Sequence, residues 1–414
     1  MTNLEEPTAA RPADRLVLDT EDRHHRQTLI EWWDQARVAA ARVLVVGAGA
    51  LGNEILKNLA LLGVGQLLVY DFDQVETSNL SRSVLFRAAD AGRPKATIAA
   101  QRAMELDPAV TAVAHCQNVM HKAGLGVFHW ADIVLCGLDN REARLFVNSA
   151  CARTRRVWVD GAIEGLAGVV RVFDPAHGPC YECTLGQVDR RILSERRSCA
   201  MLARQAQAAG HVPTTVVAAS VVAAWQVQEA LKWLHGQPVL AGEAMHFHGL
   251  WSDVTRVRLQ RAQDCPGHDA LPEIEPLGCG IADRTVGELL ARATERLGPG
   301  AMLELSRDVV TALACPQCGT RVRPQAVLGE LRERDAACPE CGTHRVVEFT
   351  GSFAAEDVLA NATLAGATLA DFGIPPFDVV VARCGLDAAE AWSFDGDAAA
   401  VLGPLAGRAA RKLR

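Results

Sequence analysis

Short apolar runs alternate with segments of helical periodicity in the first part of the chain. Five runs are rich in Val, Leu, Ile and Ala and have the length of buried strands: 41–47, 66–71, 110–115, 132–136 and 157–160. Three segments between them have the spacing of one helix face: 53–62, 96–105 and 141–151. This alternation predicts an α/β fold with a mainly parallel sheet that helices cover on both faces.

The pattern changes after residue 161. Residues 168–173 and 254–259 predict strands of an antiparallel extension, and residues 213–234 predict one long apolar helix. Residues 264–279 are rich in Pro and Gly, which indicates a domain boundary. We therefore expect three parts, with these bounds: a disordered tail at 1–14, a main α/β domain at 15–270 and a separate C-terminal region at 271–414.

Two further segments predict elements outside this pattern. Residues 16–38 are charged and contain tryptophan, and they predict a helix before the first strand. Residues 368–383 predict a turn that leads into a strand, which suggests a small α/β module in the C-terminal region.

The composition excludes several classes of protein. The chain has 414 residues, 49% of them hydrophobic, and a net charge of −7, which argues against a mainly disordered protein and against a nucleic-acid binder. No basic segment followed by an apolar run stands at the N-terminus, and the longest apolar stretch, 216–225, is shorter than the roughly 20 residues of a membrane span. We expect a cytoplasmic protein without a membrane partner.

A glycine-rich turn follows the first predicted strand and opens a helix. It contains Gly47, Gly49 and Gly52, and Asp71 stands about 20 residues further on at the end of the next strand. Such glycines let the backbone approach phosphate, and a carboxylate can accept hydrogen bonds from ribose. This pattern predicts a Rossmann-like, doubly wound sheet, for which a nicotinamide-dependent oxidoreductase is the usual interpretation.

The motifs that follow differ from those of a dehydrogenase. The segment from Asp71 to Arg82 has the form Asp-x-Asp…Ser-Asn-Leu-x-Arg, Lys95 follows it, and an Asp-Asn pair at 139–140 ends a later strand. Together these motifs resemble the MoeB/ThiF adenylyltransferases and the adenylation domains of ubiquitin-activating enzymes. The resemblance covers residues 20–270 and implies an ATP-dependent enzyme.

The chemistry of these side chains suits adenylation, in which a carboxylate attacks the α-phosphate of ATP and pyrophosphate leaves. Arg82 and Lys95 suit the triphosphate, and Asp139 suits Mg²⁺, which prefers oxygen ligands. Asp73 and Asn79 suit the ribose edge or the metal-bound phosphates. The predicted ATP and Mg²⁺ site consists of Gly47, Gly49, Gly52, Asp71, Asp73, Asn79, Arg82, Lys95, Asp139 and Asn140.

Arg26 lies in a short basic motif before the first strand. The residues Arg-His-His-Arg-Gln at 23–27 resemble the family motif Arg-Tyr-x-Arg-Gln, with His24 in place of the tyrosine. The resemblance implies that Arg26 reaches the ATP of the opposite protomer as an arginine finger, which requires a homodimer. A solvated basic helix face is the alternative.

Thirteen cysteines indicate metal ligands or catalysis, because an odd number of thiols in a reducing compartment argues against disulfides. Two Cys-x-x-Cys pairs with 19 residues between them predict a zinc ribbon at 315–341, with these ligands: Cys315, Cys318, Cys338 and Cys341. A Cys-x-x-Cys pair and a Cys-x-x-His pair predict a second zinc site, with these ligands: Cys180, Cys183, Cys265 and His268. The family resemblance also implies this second site, with His268 as its least typical ligand, and a redox Cys-x-x-Cys is the alternative.

Six cysteines remain outside these pairs. Cys116, Cys136 and Cys151 stand at strand or helix positions, where buried thiols are common, and Cys279 and Cys384 lack a matched partner; the sixth is considered below.

Cys199 differs from the other five. It follows two arginines that favour its thiolate, and a Gln/Ala/Gly stretch separates it from the long helix. In ubiquitin-activating enzymes a cysteine of the corresponding crossover takes the activated acyl group, so the resemblance implies this role for Cys199. A spare loop thiol is the alternative.

These expectations combine into one functional hypothesis. The enzyme, with Arg26, Lys95, Asp139 and Cys199 as catalytic residues, adenylates the C-terminal glycine carboxylate of a ubiquitin-like β-grasp protein. A thioester on Cys199 and transfer to a conjugating enzyme follow. A sulfur-carrier adenylyltransferase without conjugation is the alternative, and an NAD-dependent oxidoreductase or a non-catalytic interaction protein explains fewer residues. The C-terminal region either recruits a conjugating enzyme or stabilises or dimerises the chain.

Overall fold

The computed structural model describes residues 22–186, 213–359 and 361–407. The predicted tail at 1–14 and Cys199 lie outside the described residues. Within those ranges, no helix combines the length and apolar character that a bilayer span requires.

Eight described strands form the larger sheet, with these bounds: β1 (Arg42–Val46), β2 (Gln66–Tyr70), β3 (Thr111–His115), β4 (Ile133–Cys136), β5 (Trp158–Glu164), β6 (Ala167–Phe173), β7 (Glu243–His248) and β8 (Asp253–Arg258). Their order is β3-β2-β1-β4-β5-β6-β7-β8. The first five run parallel, and β6, β7 and β8 extend the sheet by antiparallel pairing. The prediction of a mainly parallel sheet with an antiparallel extension is confirmed.

Helices cover both faces of this sheet, with these bounds: α1 (His25–Thr28), α2 (Gln35–Ala40), α3 (Ala50–Leu61), α4 (Lys95–Leu106), α5 (Val119–Lys122), α6 (Leu125–Trp130), α7 (Arg141–Arg153) and α8 (Val216–Leu234). On one face α3, α4 and α8 share a core that contains Ile55 and Val222. On the other face α6 and α7 share a core that contains Phe128 and Val147.

The helix predicted at 16–38 is wrong for the described part of that segment. Two short helices, α1 and α2, stand there instead, and α1 buries none of its side chains. Asp34 begins α2 by accepting a hydrogen bond from the Arg37 N–H at 3.0 Å. A helix without a buried face gains little from packing, so the chain breaks between the two.

The C-terminal region has its own sheet, with these strands: β9 (Ile274–Pro276), β10 (Met302–Ala314), β11 (Arg321–Val322), β12 (Val346–Ala354), β13 (Val379–Cys384) and β14 (Ala388–Ser393). Their order is β11-β10-β13-β14-β9, and β12 pairs with β10. The helices of this region are α9 (Val286–Leu297), α10 (Glu333–Ala336), α11 (Ala355–Leu359), α12 (Ala362–Ala365) and α13 (Ala398–Leu402).

The C-terminal sheet packs on helices that cover one face of the larger sheet. Phe377 and Val379 belong to the same buried cluster as Phe128 of α6. Arg307 donates hydrogen bonds to the carbonyls of Met120 at 3.0 Å and Ala123 at 2.7 Å. The two sheets therefore share one continuous core. The boundary predicted near residue 270 lies in the segment that joins them along the chain.

Candidate functional site

The glycine turn stands at the carboxyl edge of the parallel strands, between β1 and α3. Gly47 has a φ of +92°, which favours glycine, and a Cβ there would lie 2.6 Å from the carbonyl oxygen of Gly137. A Cβ on Gly52 would lie 1.9 Å from the Gly47 carbonyl oxygen, whereas a Cβ on Gly49 would meet no atom within 4 Å. The turn therefore leaves open space beside the N-terminus of α3, where an anion is favoured.

Asp71 is hydrogen-bonded to the glycine turn. Its Oδ2 accepts from the Ala48 N–H at 2.7 Å, and its Oδ1 accepts from the Asp73 N–H at 2.8 Å. Burial raises the pKa of Asp71, and these two backbone hydrogen bonds oppose that rise. We expected Asp71 to bind ribose, and the structure gives the same side chain a second task, which is to hold the turn in place.

Lys95 and Asp73 form an ion pair at the same edge. The Lys95 Nζ lies 2.9 Å from the Asp73 Oδ2, and the Lys95 N–H donates to the Asp73 carbonyl at 2.9 Å. Lys95 opens α4, which places its charge beside the loop that follows β2. The two residues therefore lie together, and their roles toward ATP stay predictions.

Asn79 and Arg82 lie on the loop between β2 and α4. Asn79 is buried, and its Oδ1 accepts from the Glu76 N–H at 2.9 Å. The Arg82 Nη1 donates to the Ser78 carbonyl at 2.6 Å. This loop packs on α3, because the Leu85 N–H donates to the Asn53 Oδ1 at 2.9 Å.

Asp139 and Asn140 follow β4 and precede α7; we name residues 138–140 the Asp139 loop. Asp139 is exposed, and Asn140 caps α7 by accepting from the Ala143 N–H at 2.7 Å. Gly137 just before this loop contacts Gly47. The glycine turn and the Asp139 loop are therefore neighbours at one edge of the sheet.

A buried charged group to which the sequence analysis gave no role lies behind the Asp139 loop. Arg144 Nε donates to Asp160 Oδ1 at 2.8 Å, and Arg144 Nη2 donates to the Leu138 carbonyl at 2.5 Å. Arg171 pairs with the other oxygen of Asp160. The signal in the sequence is a charged residue beside apolar residues within each of two strands, at positions 160 and 171.

Arg26 lies far from the glycine turn of its own chain. It is exposed on α1, whose preceding residue His24 contacts Gly63 and Asp107. Gly63 follows the end of α3, and the glycine turn stands at its start. Since α3 has 12 residues at about 1.5 Å each, roughly 18 Å separate the two ends.

The first metal-ligand set converges; we name Cys180, Cys183, Cys265 and His268 the Cys180 cluster. Its ligand atoms all lie within 4.8 Å of one another. The Cys180 Sγ lies 3.8 Å from the Cys183 Sγ and 3.5 Å from the Cys265 Sγ. Tetrahedral Zn²⁺ with bonds of about 2.3 Å separates two sulfur ligands by about 3.8 Å, so the residues fit this ion.

The second set converges as well; we name Cys315, Cys318, Cys338 and Cys341 the Cys315 cluster. Its ligand atoms also lie within 4.8 Å of one another. Two matching turns supply them, because Gly319 and Gly342 have φ values of +73° and +75° and donate N–H groups to the carbonyls of Cys315 and Cys338. Such turns suit thiolate ligands of zinc.

Two of the three cysteines that we expected to be buried are buried in the structure, and the third is not. Cys136 and Cys151 are buried, and burial raises the pKa of each thiol. Cys116 is exposed, so the expectation of burial is wrong for it. It stands one residue past the end of β3, where the sheet no longer covers the side chain.

Comparisons with known proteins agree with this arrangement. The Thermus thermophilus sulfur carrier protein adenylyltransferase is 35% identical over 255 residues, which are 59% of this chain and 89% of that protein. The Arabidopsis thaliana NEDD8-activating enzyme E1 catalytic subunit is 41% identical over 157 residues, which are 35% of this chain and 34% of that protein. The chain therefore spans most of the first relative and about a third of the second.

Solved structures show the same fold. The crystal structure of E. coli MccB with ATP has a TM-score of 0.50 and 20% identity, and the match covers 60% of this chain and 75% of that one. Residues 22–267 match the ThiF family. The chain therefore belongs to the ThiF family, whose members matched here are named adenylyltransferases and activating enzymes.

Proposed function

We propose that this protein adenylates the C-terminal carboxylate of a ubiquitin-like or sulfur-carrier protein at the expense of ATP. The observation that carries the proposal is the meeting of the glycine turn, the Lys95–Asp73 pair and the Asp139 loop at one sheet edge. Membership of the ThiF family supports it.

The proposed reaction needs positioning and charge neutralisation more than covalent help. A carboxylate oxygen attacks the α-phosphorus of ATP, and the bond from that phosphorus to the oxygen of the leaving pyrophosphate breaks. Lys95 and Arg82 neutralise phosphate charge, and Asp73 and Asp139 face the metal-bound phosphates. Mg²⁺ supplies charge stabilisation when it is held by Asp139.

We propose that Arg26 completes the site of a second copy of the chain. The distance along α3 argues that Arg26 cannot reach the glycine turn of its own protomer. Exposed apolar side chains follow it on the same segment: Leu29 and Ile30 are 45% and 41% exposed, and Trp32 is 43% exposed. A homodimer would cover them.

A complementation experiment tests this dimer. Arg26→Ala and Asp139→Ala are each expected to be inactive in ATP–pyrophosphate exchange, and a mixed dimer restores one intact site. Equal mixing should recover about a quarter of the wild-type rate, because half of the dimers are mixed and each has one working site. No recovery from a mixture that forms dimers would contradict a finger supplied by the partner.

We propose that both cysteine clusters hold structural Zn²⁺. We also propose that the acyl group passes first to Cys199 and then to a conjugating enzyme. The last two steps rest on the resemblance to ubiquitin-activating enzymes. Sulfur-carrier adenylation without conjugation is the second candidate, and the 89% coverage of the Thermus thermophilus adenylyltransferase favours it.

The experiment that tests the function is ATP–pyrophosphate exchange driven by purified β-grasp proteins. Exchange should require a carrier with a free C-terminal glycine and should be lost in Asp139→Ala. Cys199→Ala should retain exchange and lose a thioester that reductant cleaves; a wild type without a thioester favours the sulfur-carrier candidate. Binding of NAD in preference to ATP would contradict the proposal.

A further inference from the structure

Helix α7 connects the two candidate sites of the main domain. It begins directly after the Asp139 loop, and its middle turn contacts the Cys180 cluster. Asn148 Oδ1 accepts a hydrogen bond from the Tyr181 N–H at 2.8 Å. A Cβ on Gly267 would lie 2.9 Å from the Asn148 Nδ2 and 2.7 Å from the Cys180 Sγ. Both halves of the Cys180 cluster therefore pack against this helix.

A series of buried charged groups makes a second connection. Arg144 of α7 donates to the carbonyl of Leu138 in the Asp139 loop and to Asp160. Asp160 also pairs with Arg171, its cross-strand partner, and the Arg171 guanidinium lies 5.3 Å from the centroid of the Tyr181 ring. Direct contacts thus run from the residue after Cys180 to the residue before Asp139.

Burial makes this connection stiff. Asp160 is fully buried, and the side chains of Arg144 and Arg171 are 8% and 18% exposed. A buried carboxylate that loses one of its cationic partners is left with uncompensated charge, so the pairs resist separation. The position of the Leu138 carbonyl therefore depends on both arginines.

We propose that Arg144, Asp160 and Arg171 are positioning residues that couple the Cys180 cluster to the Asp139 loop. A metal held by the cluster fixes Tyr181 and α7, and this fixes the loop that faces the nucleotide phosphates. The inference rests on the proposed function, because that function assigns the loop to Mg²⁺ and ATP. Coupling between two sites is reciprocal, so the nucleotide also stabilises the cluster.

The first test measures the binding of a fluorescent ATP analogue to the full chain with and without Mg²⁺. Asp160→Asn is expected to reduce the Mg²⁺-dependent gain in affinity by about tenfold, because a charge-assisted hydrogen bond is lost. Affinity without Mg²⁺ should be retained. Arg171→Met, which keeps the aliphatic packing, is a second variant should Asp160→Asn fail to fold.

Asp132→Asn is the matched control for this test. Asp132 forms a similar pair with Arg42 at 2.7 Å, with side chains that are 8% and 17% exposed. The pair joins the amino ends of β1 and β4, at the opposite edge of the sheet. Asp132→Asn should therefore keep the full Mg²⁺-dependent gain, and an equal loss in this control would overturn the positioning role.

Hydrogen–deuterium exchange tests the reciprocal direction. Mg²⁺ and ATP should slow exchange in the peptide that contains Cys180 and Cys183 in the wild type, and this protection should disappear in Asp160→Asn. The inference would be overturned if Asp160→Asn and Arg171→Met both kept the wild-type gain in affinity with Mg²⁺, or if that peptide were not protected in the wild type. Neither result would contradict the proposed function. A wild type that binds no ATP analogue would overturn the proposed function, and the inference with it.

Discussion

Gly49 and Gly52 stand in the same turn but meet different surroundings. Gly52→Ala would place a methyl 1.9 Å from the Gly47 carbonyl oxygen, so it should distort the turn, lower the melting temperature and remove ATP binding. Gly49→Ala should keep the melting temperature, because nothing lies within 4 Å, and should weaken ATP binding by filling the space for phosphate. Thermal melts and ATP titration check both. Equal melting temperatures in the two variants would contradict this account.

His121 makes the stability of the chain depend on pH. Burial lowers the pKa of His121 from 6.5 to about 4, while the charges of Glu330, Arg307 and Lys122 surround it. The unfolded chain keeps the ordinary pKa, so it binds a proton that the folded chain rejects as the pH falls from 6.5 toward 4. The contribution of His121 to stability is therefore complete above pH 6.5 and decreases as the pH falls from 6.5 to about 4.

Melting curves between pH 7 and pH 4 check this prediction. The wild type should lose more stability over this range than His121→Gln, which carries no titrating group. An identical pH profile in His121→Gln would contradict the assignment.

At the residue scale, the sequence predicted positions better than contacts. Asp71 and Lys95 lie where the motif spacing predicts, because each stands next to a strongly periodic strand or helix. The hydrogen bond from Ala48 to Asp71 and the pairing of Asp160 with Arg171 join neighbouring strands. Spacing along the chain does not specify which strands are neighbours.

At the element scale, the long buried helices and the parallel strands of the main domain were predictable, and so was the exposed strand β8. The strand β7 and the short helices α1, α2 and α6 were not. The helix predicted at 96–105 is α4 with one residue added at each end, because its apolar face packs in the core. The strand β7 was missed, since five of its six side chains are only half-buried and two of them are His246 and His248. A strand with half-buried side chains lacks the apolar run that marks a buried strand.

The Cys315 cluster allows a prediction of how many zinc ions the chain binds. The described residues contain two such clusters, so the wild type should bind two zinc ions at them. Cys338→Ser should reduce this number to one and lower the melting temperature, because metal binding organises the ends of β10 and β12. Elemental analysis and thermal melts measure both.

Cys384→Ser is the control for this prediction. Cys384 belongs to neither cluster, and it is only half-buried. This variant should keep two zinc ions and the wild-type melting temperature. Two ions retained in Cys338→Ser would contradict the assignment of the Cys315 cluster.

At the scale of the whole molecule, the shared core of the two sheets was not predictable. The Pro/Gly-rich segment at 264–279 follows the last strand of the larger sheet, β8, and contains the first strand of the other sheet, β9. The packing of Phe377 on α6, however, joins residues that lie about 250 positions apart in the chain. Apolar periodicity shows that a face is buried, and it does not show what covers that face.

Arg307 provides the last prediction, because it joins the two sheets. Its side chain donates to the carbonyls of Met120 and Ala123 and lies 3.8 Å from Asp378. Arg307→Met leaves these groups without their buried cation, and removing one partner of a buried pair typically lowers the free energy of unfolding by about 3–5 kcal/mol. We expect the wild type to unfold in one calorimetric transition. In Arg307→Met we expect a melting temperature lower by about 5 °C or more and two separate transitions.

Arg321→Met is the matched control for Arg307→Met. Arg321 pairs with Glu348 within the C-terminal sheet, and the two side chains are 59% and 38% exposed. An exposed ion pair contributes little to stability, so this variant should keep the wild-type transition. One unchanged transition in Arg307→Met would mean that apolar packing of Phe377 and Val379 alone unites the sheets. Two transitions would show that the buried cation makes the ThiF-family part of the chain and the C-terminal region unfold as one unit.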